Sequence, residues 1–294
     1  VTRPAVAALL AALLVLAGCG SSEPAAAPTS PPSAPSASAP APTPSATAPS
    51  TAPPTRAPAP AYSTWPLGER TLPLRPDGYG EVRPTPPTLR DRRYPTRDVL
   101  PPPPGGRWRG TVGPVTPALA SRLAWEPGCP VALADLRYLT VSFRGFDGAP
   151  HTGELVVAAS VADDVVEVFR TAYAAGFPIE EMRLTSPAEL DLPPTGDGNN
   201  TSAYVCRPTT GQTSGWSAHA YGLAIDVNPF QNPYEKGDLV LPELASSYLD
   251  RDRRRPGMLD ADDVVVRGFE RAGWTWGGEF RTLLDYQHLS ATGR

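Results

Sequence analysis

The stretch that decides the reading of this chain is Ser217-Ala218-His219-Ala220-Tyr221-Gly222-Leu223-Ala224-Ile225-Asp226, which continues into Val227-Asn228-Pro229. It sets a histidine and a carboxylate seven residues apart, with Gly222 between them to let the backbone bend. A second segment, near the C-terminus, reads Trp274-Thr275-Trp276-Gly277-Gly278-Glu279-Phe280 and then Asp285-Tyr286-Gln287-His288. The chain has only three histidines, and two of them lie in these glycine- and aromatic-rich segments. Two imidazoles and a carboxylate are a common zinc ligand set. A catalytic site of this kind leaves the fourth position to water and lowers its pKa toward about 7. It also needs a base beside that water, and Asp285, three residues before His288, can point to the same place. Taken alone, the His-x6-Asp spacing is a weak pattern, and a pair of structural histidines is the competing reading.

Outward from these motifs the sequence is globular from about residue 110 onward. Leu136, Tyr138, Leu139, Val141 and Phe143 suggest a strand, Phe146-Asp147-Gly148 a turn, and residues 155–159 a buried strand. A helix is expected from Ser160, with Asp163 completing a weak capping box, and with Val161, Val165, Val168, Phe169, Ala172 and Tyr173 at helical spacing up to Gly176. Residues 178–184 read as a strand and 186–200 as a polar loop. A further helix is expected over 262–272, ended by Gly273. Strands and helices mix without a regular βαβ rhythm, which favours α+β. Cys129 and Cys206 form an even pair, and in an exported domain a disulfide is the default, with two free thiols as the alternative.

The N-terminal third is a different material. Residues 1–110 hold 25 of the 39 prolines, so one uniform domain is excluded. Residues 1–18 read as a secretory signal: Arg3, then an apolar run from Ala5 to Ala17 that is too short to span a bilayer. The run ends in Leu16-Ala17-Gly18-Cys19, which resembles a bacterial lipobox; the alternative is an ordinary cleaved signal followed by a chance cysteine. The lipobox reading implies lipid on Cys19 and a place at the cell membrane, facing the wall side. Residues 19–60 follow as a linker, Ala, Pro, Ser or Thr in 38 of the 40 positions from 21 to 60, too poor in apolar surface to offset its ordering entropy. Residues 61–110 stay Pro-rich but gain arginines and aromatics, and are expected as an extended segment that either drapes over the domain or stays mobile. The folded domain is expected over 111–294. A net charge of −4 and the lack of a Lys/Arg-rich run argue against nucleic acid as a partner.

The motif S-x-H-x-x-G-x-A-x-D, followed by W-G-G and D-x-x-H, resembles the M15 family of zinc D,D-peptidases over roughly residues 130–290. That resemblance implies the α+β fold shared with the hedgehog signalling domain, a small antiparallel sheet with flanking helices. It implies Zn²⁺ held by His219, Asp226 and His288, Asp285 as the catalytic carboxylate, and Ser217 lining the pocket or bonding near the metal. Arg183, in Glu181-Met182-Arg183-Leu184, stands where relatives place an arginine that binds substrate and stabilises developing charge. The activity implied is cleavage of peptidoglycan stem peptides, by a monomer, as a D-Ala-D-Ala carboxypeptidase or an L-Ala-D-Glu endopeptidase. The alternative is a noncatalytic zinc-holding wall module on the same fold. Among other residues, His151 reads as structural or rim-lining and Glu279 as a rival base. Trp216, Tyr221, Trp274 and Trp276 are candidates for stacking on substrate. Asn199 and Asn200 are placed near the cleft without a decided role, and Arg253-Arg254-Arg255 reads as a solvated loop.

Overall fold

The computed structural model describes residues 64–212 and 214–293. The expected signal, Cys19 and the expected linker to residue 60 lie outside the described residues. The strands are β1 (Gly110–Pro114), β2 (Leu136–Arg144), β3 (Pro150–Ala158), β4 (Glu181–Met182), β5 (Asn200–Thr201), β6 (Ala224–Asp226), β7 (Tyr234–Lys236), β8 (Leu239–Leu241), β9 (Thr275–Trp276), β10 (Leu284–Asp285) and β11 (His288–Ser290). The α-helices are α1 (Pro117–Ala120), α2 (Ala162–Ala175), α3 (Pro187–Leu190) and α4 (Val264–Arg271). Three antiparallel sheets have the orders β1-β2-β3, β10-β7-β8 and β6-β11-β9, and β4 pairs with β5 in parallel. This is the α+β class expected, with small antiparallel sheets and few helices.

The β2–β3 hairpin is the frame. Its turn closes where Asp147 Oδ1 accepts from the Ala149 N–H and Gly148 takes φ +78°, a conformation glycine adopts without steric cost. The register sets Leu139 opposite Leu155 and Phe143 opposite His151. Alternation then sends Leu139, Val141, Phe143, Leu155 and Val157 to one face and Leu136, Tyr138 and Val156 to the other. The first face meets Val165, Val168, Phe169 and Ala172 of α2, with Val265, Val266 and Phe269 of α4 beyond them. Phe169 and Phe269 meet edge-on at 6.3 Å, and Phe269 lies 4.8 Å from Trp274; truncating such a ring costs about 3–5 kcal/mol.

The expected elements shift in detail. β3 begins at Pro150, five residues before the apolar run, because its outer half pairs along the whole of β2. Ser160 lies in a 3₁₀ turn, Ala159–Val161, and no side chain caps α2, so the capping box expected there is absent. Gly176 does close α2, at φ +72°. The strand expected over 178–184 shrinks to β4, and the 186–200 loop contains α3, whose capping box is Ser186 with Glu189.

Residues 64–110 drape over the domain. Trp65, Leu67, Leu72 and Tyr94 pack around a cluster of Leu89, Phe230, Leu244, Ala245, Tyr248 and Met258. Arg92 is sealed inside, where its Nε and Nη2 donate to the Glu180 carboxylate at 2.9 and 2.7 Å. Proline's fixed φ lowers the entropy lost when such a strap is ordered. Arg255 departs from the solvated loop expected for its triplet: it is buried, stacked over Tyr248 and bonded to the carbonyls of Arg90 and Ser247. Cys129 and Cys206 are joined as a disulfide, tying the β1–β2 connection to the segment that leads into Ser217. Among the described residues no helix is long and apolar enough to cross a membrane.

Candidate metal centre and its pocket

The ten-residue motif folds as a cap, a turn and a strand. Ser217 accepts from the His219 N–H through its Oγ and starts a 3₁₀ turn, Ala218–Tyr221. Gly222 ends the turn at φ +67°, and a Cβ there would lie 2.5 Å from the Ala158 nitrogen. Only glycine therefore lets the turn dock on the end of β3, where Ala158 donates to the Gly222 carbonyl. The chain then enters β6, in which Ala224 is fully buried and Asp226 stands directly opposite His288 of β11. Cross-strand partners share a face of a sheet, which brings the carboxylate and the second imidazole together. The first imidazole arrives from the turn.

The result is one cluster. His219 Nε2 lies 3.2 Å from His288 Nδ1 and 3.2 Å from Asp226 Oδ2, and His288 Nδ1 lies 3.0 Å from Asp226 Oδ1. The three groups offer ligand atoms all within 4.8 Å of one another. Ligands about 2.1 Å from a tetrahedral ion stand roughly 3.4 Å apart, so His219, Asp226 and His288 are spaced as a group that could hold one small cation. The Ala203 carbonyl, 2.6 Å from His219 Nδ1, accepts a hydrogen bond from the N–H there, which leaves Nε2 free to face the cluster. Burial opposes ionisation of Asp226, but the charges and hydrogen bonds of His219 and His288 outweigh it and hold its carboxyl well below the ordinary range.

Asp285 stands beside the triad. Burial pushes its carboxyl up to about 6, His288 pulls against that rise and the Asp226 charge adds to it. Its Oδ1 is sealed from solvent and has no hydrogen-bond partner. An orphaned carboxylate oxygen next to a His-His-Asp cluster fits a site that would hold a cation and a water bound to it. Gly277 is needed here: a Cβ on it would lie 2.4 Å from the Asp285 carbonyl oxygen. Gly278 packs under the Trp276 indole in the same way, and that indole donates to the Tyr286 carbonyl.

Around these groups lies a cavity of about 930 Å³. Ser217 lines it, although its hydroxyl is engaged by the turn. Trp216 and Tyr221 flank it and remain more than one-third exposed, whereas Trp274 and Trp276 are buried as packing. Glu279 sits on the exposed rim. His151 is elsewhere, wedged between Asp98 and Asp147 against Phe143.

Arg183 does not line this cavity. It lies between Glu181 and Glu189 in a neighbouring one. The cations on the wall of the metal cavity are Arg207, Lys236 and Arg281, which sequence reasoning missed. Arg207 was the detectable one, since it follows Cys206 and leads directly toward Ser217. Lys236 and Arg281 carry no local signal, because only the pairing of β10 with β7 brings their segments to the same mouth.

Residues 210–291 match the family model described as D-alanyl-D-alanine carboxypeptidase. No curated protein and no solved structure matches the chain. The matched segment contains His219, Asp226, Asp285 and His288, and the match supports a peptidase of the M15 family.

Proposed function

We propose that this protein is a zinc-dependent peptidase that cleaves the stem peptides of peptidoglycan, held at the outer face of the membrane by lipid on Cys19. The observation that carries the reading is the meeting of His219, Asp226 and His288 beside the unsatisfied Oδ1 of Asp285. The two imidazoles and the Asp226 carboxylate are the groups that would hold Zn²⁺, which supplies a Lewis acid and a water of lowered pKa. Asp285 is the general base, taking a proton from the attacking water at Oδ1 and returning it to the leaving amine. Its raised affinity for protons suits it to both halves of that task. Arg207, Lys236 and Arg281 attract and orient an anionic peptide end. Trp216 and Tyr221 offer faces on which a peptide or sugar stacks.

The reading is tested by dialysing the full-length protein against a chelator and digesting purified muropeptides before and after Zn²⁺ is restored. Cleavage is expected to vanish and return, with one equivalent of zinc in the active protein by elemental analysis. Hydrolysis indifferent to the chelator refutes the zinc assignment. Stoichiometric zinc without cleavage of any muropeptide leaves the noncatalytic wall module instead. Mass analysis of the products identifies the bond that is cut.

A further inference from the structure

A second cavity of about 910 Å³ adjoins the metal cavity. The two share Leu241 and Gln287, and Gln287 directly precedes His288 in the chain. Ser202, on the wall of the second cavity, exchanges both backbone hydrogen bonds with Asp226, at 3.0 and 2.9 Å. A chain held at the triad thus reaches the second cavity within a few extended residues of about 3.3 Å each. One wall of this cavity is the strap, through Leu67, Thr71, Arg92, Tyr94 and Arg97, which lies outside the family-matched segment.

The two cavities differ in charge. Around the triad, once Asp226 and Asp285 are set aside for metal and proton transfer, Arg207, Lys236 and Arg281 face the single acid Glu279. In the second cavity five carboxylates stand against three guanidinium groups. Arg92 and Glu180 cancel in a sealed pair. Arg183 is shared between two carboxylates, Glu181 at 3.3 Å and Glu189 at 2.5 Å, and both are about 30% exposed. Asp197 is held by the Trp65 indole, the Gly68 N–H and the Thr195 hydroxyl, and Glu243 by the Gly80 N–H, donors without formal charge. Burial opposes the charge on Glu189, but the Ser186 N–H and Arg183 outweigh it and hold its carboxyl below the ordinary range.

We propose that the two cavities form one substrate groove whose charge gradient sets the direction of the peptide, with the acidic cavity beneath the strap binding an amine-bearing residue on the N-terminal side of the scissile bond. The inference takes the ligand to be a peptide from the proposed function. The carboxylate end of a peptide is drawn to the cationic rim of the metal cavity. The upstream residues then run over Gln287 toward Glu181 and Glu189. Arg97, exposed on the same wall, opposes the ammonium group and tunes its affinity.

The test uses an N-terminally acetylated pentapeptide ending in Lys-D-Ala-D-Ala and the same peptide with the lysine acetylated on Nε. Binding of each to the metal-free full chain is measured by calorimetry, and hydrolysis by the zinc-loaded chain follows. Wild type is expected to bind the free-amine peptide about fivefold more tightly, the scale of one partly solvated ion pair. Glu181→Gln brings the ratio close to one, Arg97→Glu raises it, and Glu167→Gln, on the exposed face of α2, keeps the wild-type ratio. Equal affinities in wild type, or an Arg97→Glu ratio no higher than that of wild type, overturn the proposal even where Glu181→Gln folds poorly. Discriminating binding without zinc-dependent cleavage refutes scission at D-Ala-D-Ala and leaves the acidic cavity standing. Cleavage without discrimination refutes the acidic cavity alone.

Discussion

At the scale of single residues the site depends on groups whose neighbours leave no freedom of choice. Asp285 is lifted to about 6 in the metal-free protein by burial, partly offset by His288. A cation held by the triad favours its carboxylate form, so the acid limb of kcat/KM in the zinc-loaded protein is expected at or below pH 6. Activity falls tenfold per pH unit below that limb, as the base is protonated. Asp285→Asn is expected to lower kcat by about 10²–10⁴-fold while leaving the zinc content intact. A variant that keeps full activity would move the base to another residue. Gly222→Ala is a second test. Its Cβ would meet the Ala158 nitrogen at 2.5 Å and the Val157 carbonyl carbon at 3.0 Å, both backbone atoms that have nowhere to go. A loss of about 1–3 kcal/mol is expected from conformation alone. Zinc affinity should weaken in parallel, because His219 rides on the same turn; calorimetric unfolding and a zinc titration read the two effects separately.

At the scale of elements, local chemistry explains most starts and stops. α4 begins at Asp263, whose side chain accepts from the Val265 N–H. Burial raises the Asp263 carboxyl above its ordinary range, and the helix N–H groups only partly offset this. A raised native pKa means that the folded state binds the proton more tightly, so this group's contribution to stability grows as pH falls through that pKa and is lost as pH rises. At neutral pH Asp263→Asn keeps the cap and removes the buried charge, and should be neutral or slightly stabilising. Asp263→Ala removes the cap and should cost about 1 kcal/mol. The advantage of the Asn variant over wild type shrinks toward pH 4, as urea unfolding at several pH values would show. α2 is the contrasting case. The S-x-x-D pattern at Ser160 was legible as a cap, yet the preceding 3₁₀ turn carries the serine away from the helix start, and packing of its apolar face holds the helix without one.

At the scale of the whole molecule the strap is part of the fold. The Arg92 and Glu180 side chains are 1% and 2% exposed. Removing Arg92 leaves a buried carboxylate with Asn199 as its remaining side-chain donor. Arg92→Ala is therefore expected to destabilise the protein by about 3–5 kcal/mol. The pair replaced together, Arg92→Met with Glu180→Leu, should recover much of that loss by chemical denaturation. If Arg92→Ala unfolds at the wild-type denaturant concentration, the strap is not coupled to the core. Composition alone left this segment between two outcomes, because proline content reports stiffness and says nothing about whether a distant surface offers Glu180 to an arginine.

What the sequence determined by itself was the part of the site whose requirements are local. A serine to cap a turn, a glycine free to take the left-handed conformation that ends it, and a histidine and an aspartate at the spacing that turns a corner into a strand are all written in consecutive residues. The hairpin face and α2 were equally legible, because a period of two or 3.6 is a local property. The tertiary structure decided which cation reaches the pocket, where Arg207 stands and Arg183 does not. It also decided that the strap closes over a second cavity. Those outcomes depend on which residues, far apart along the chain, come to share a wall, and no local pattern records the direction of a side chain that long-range packing sets.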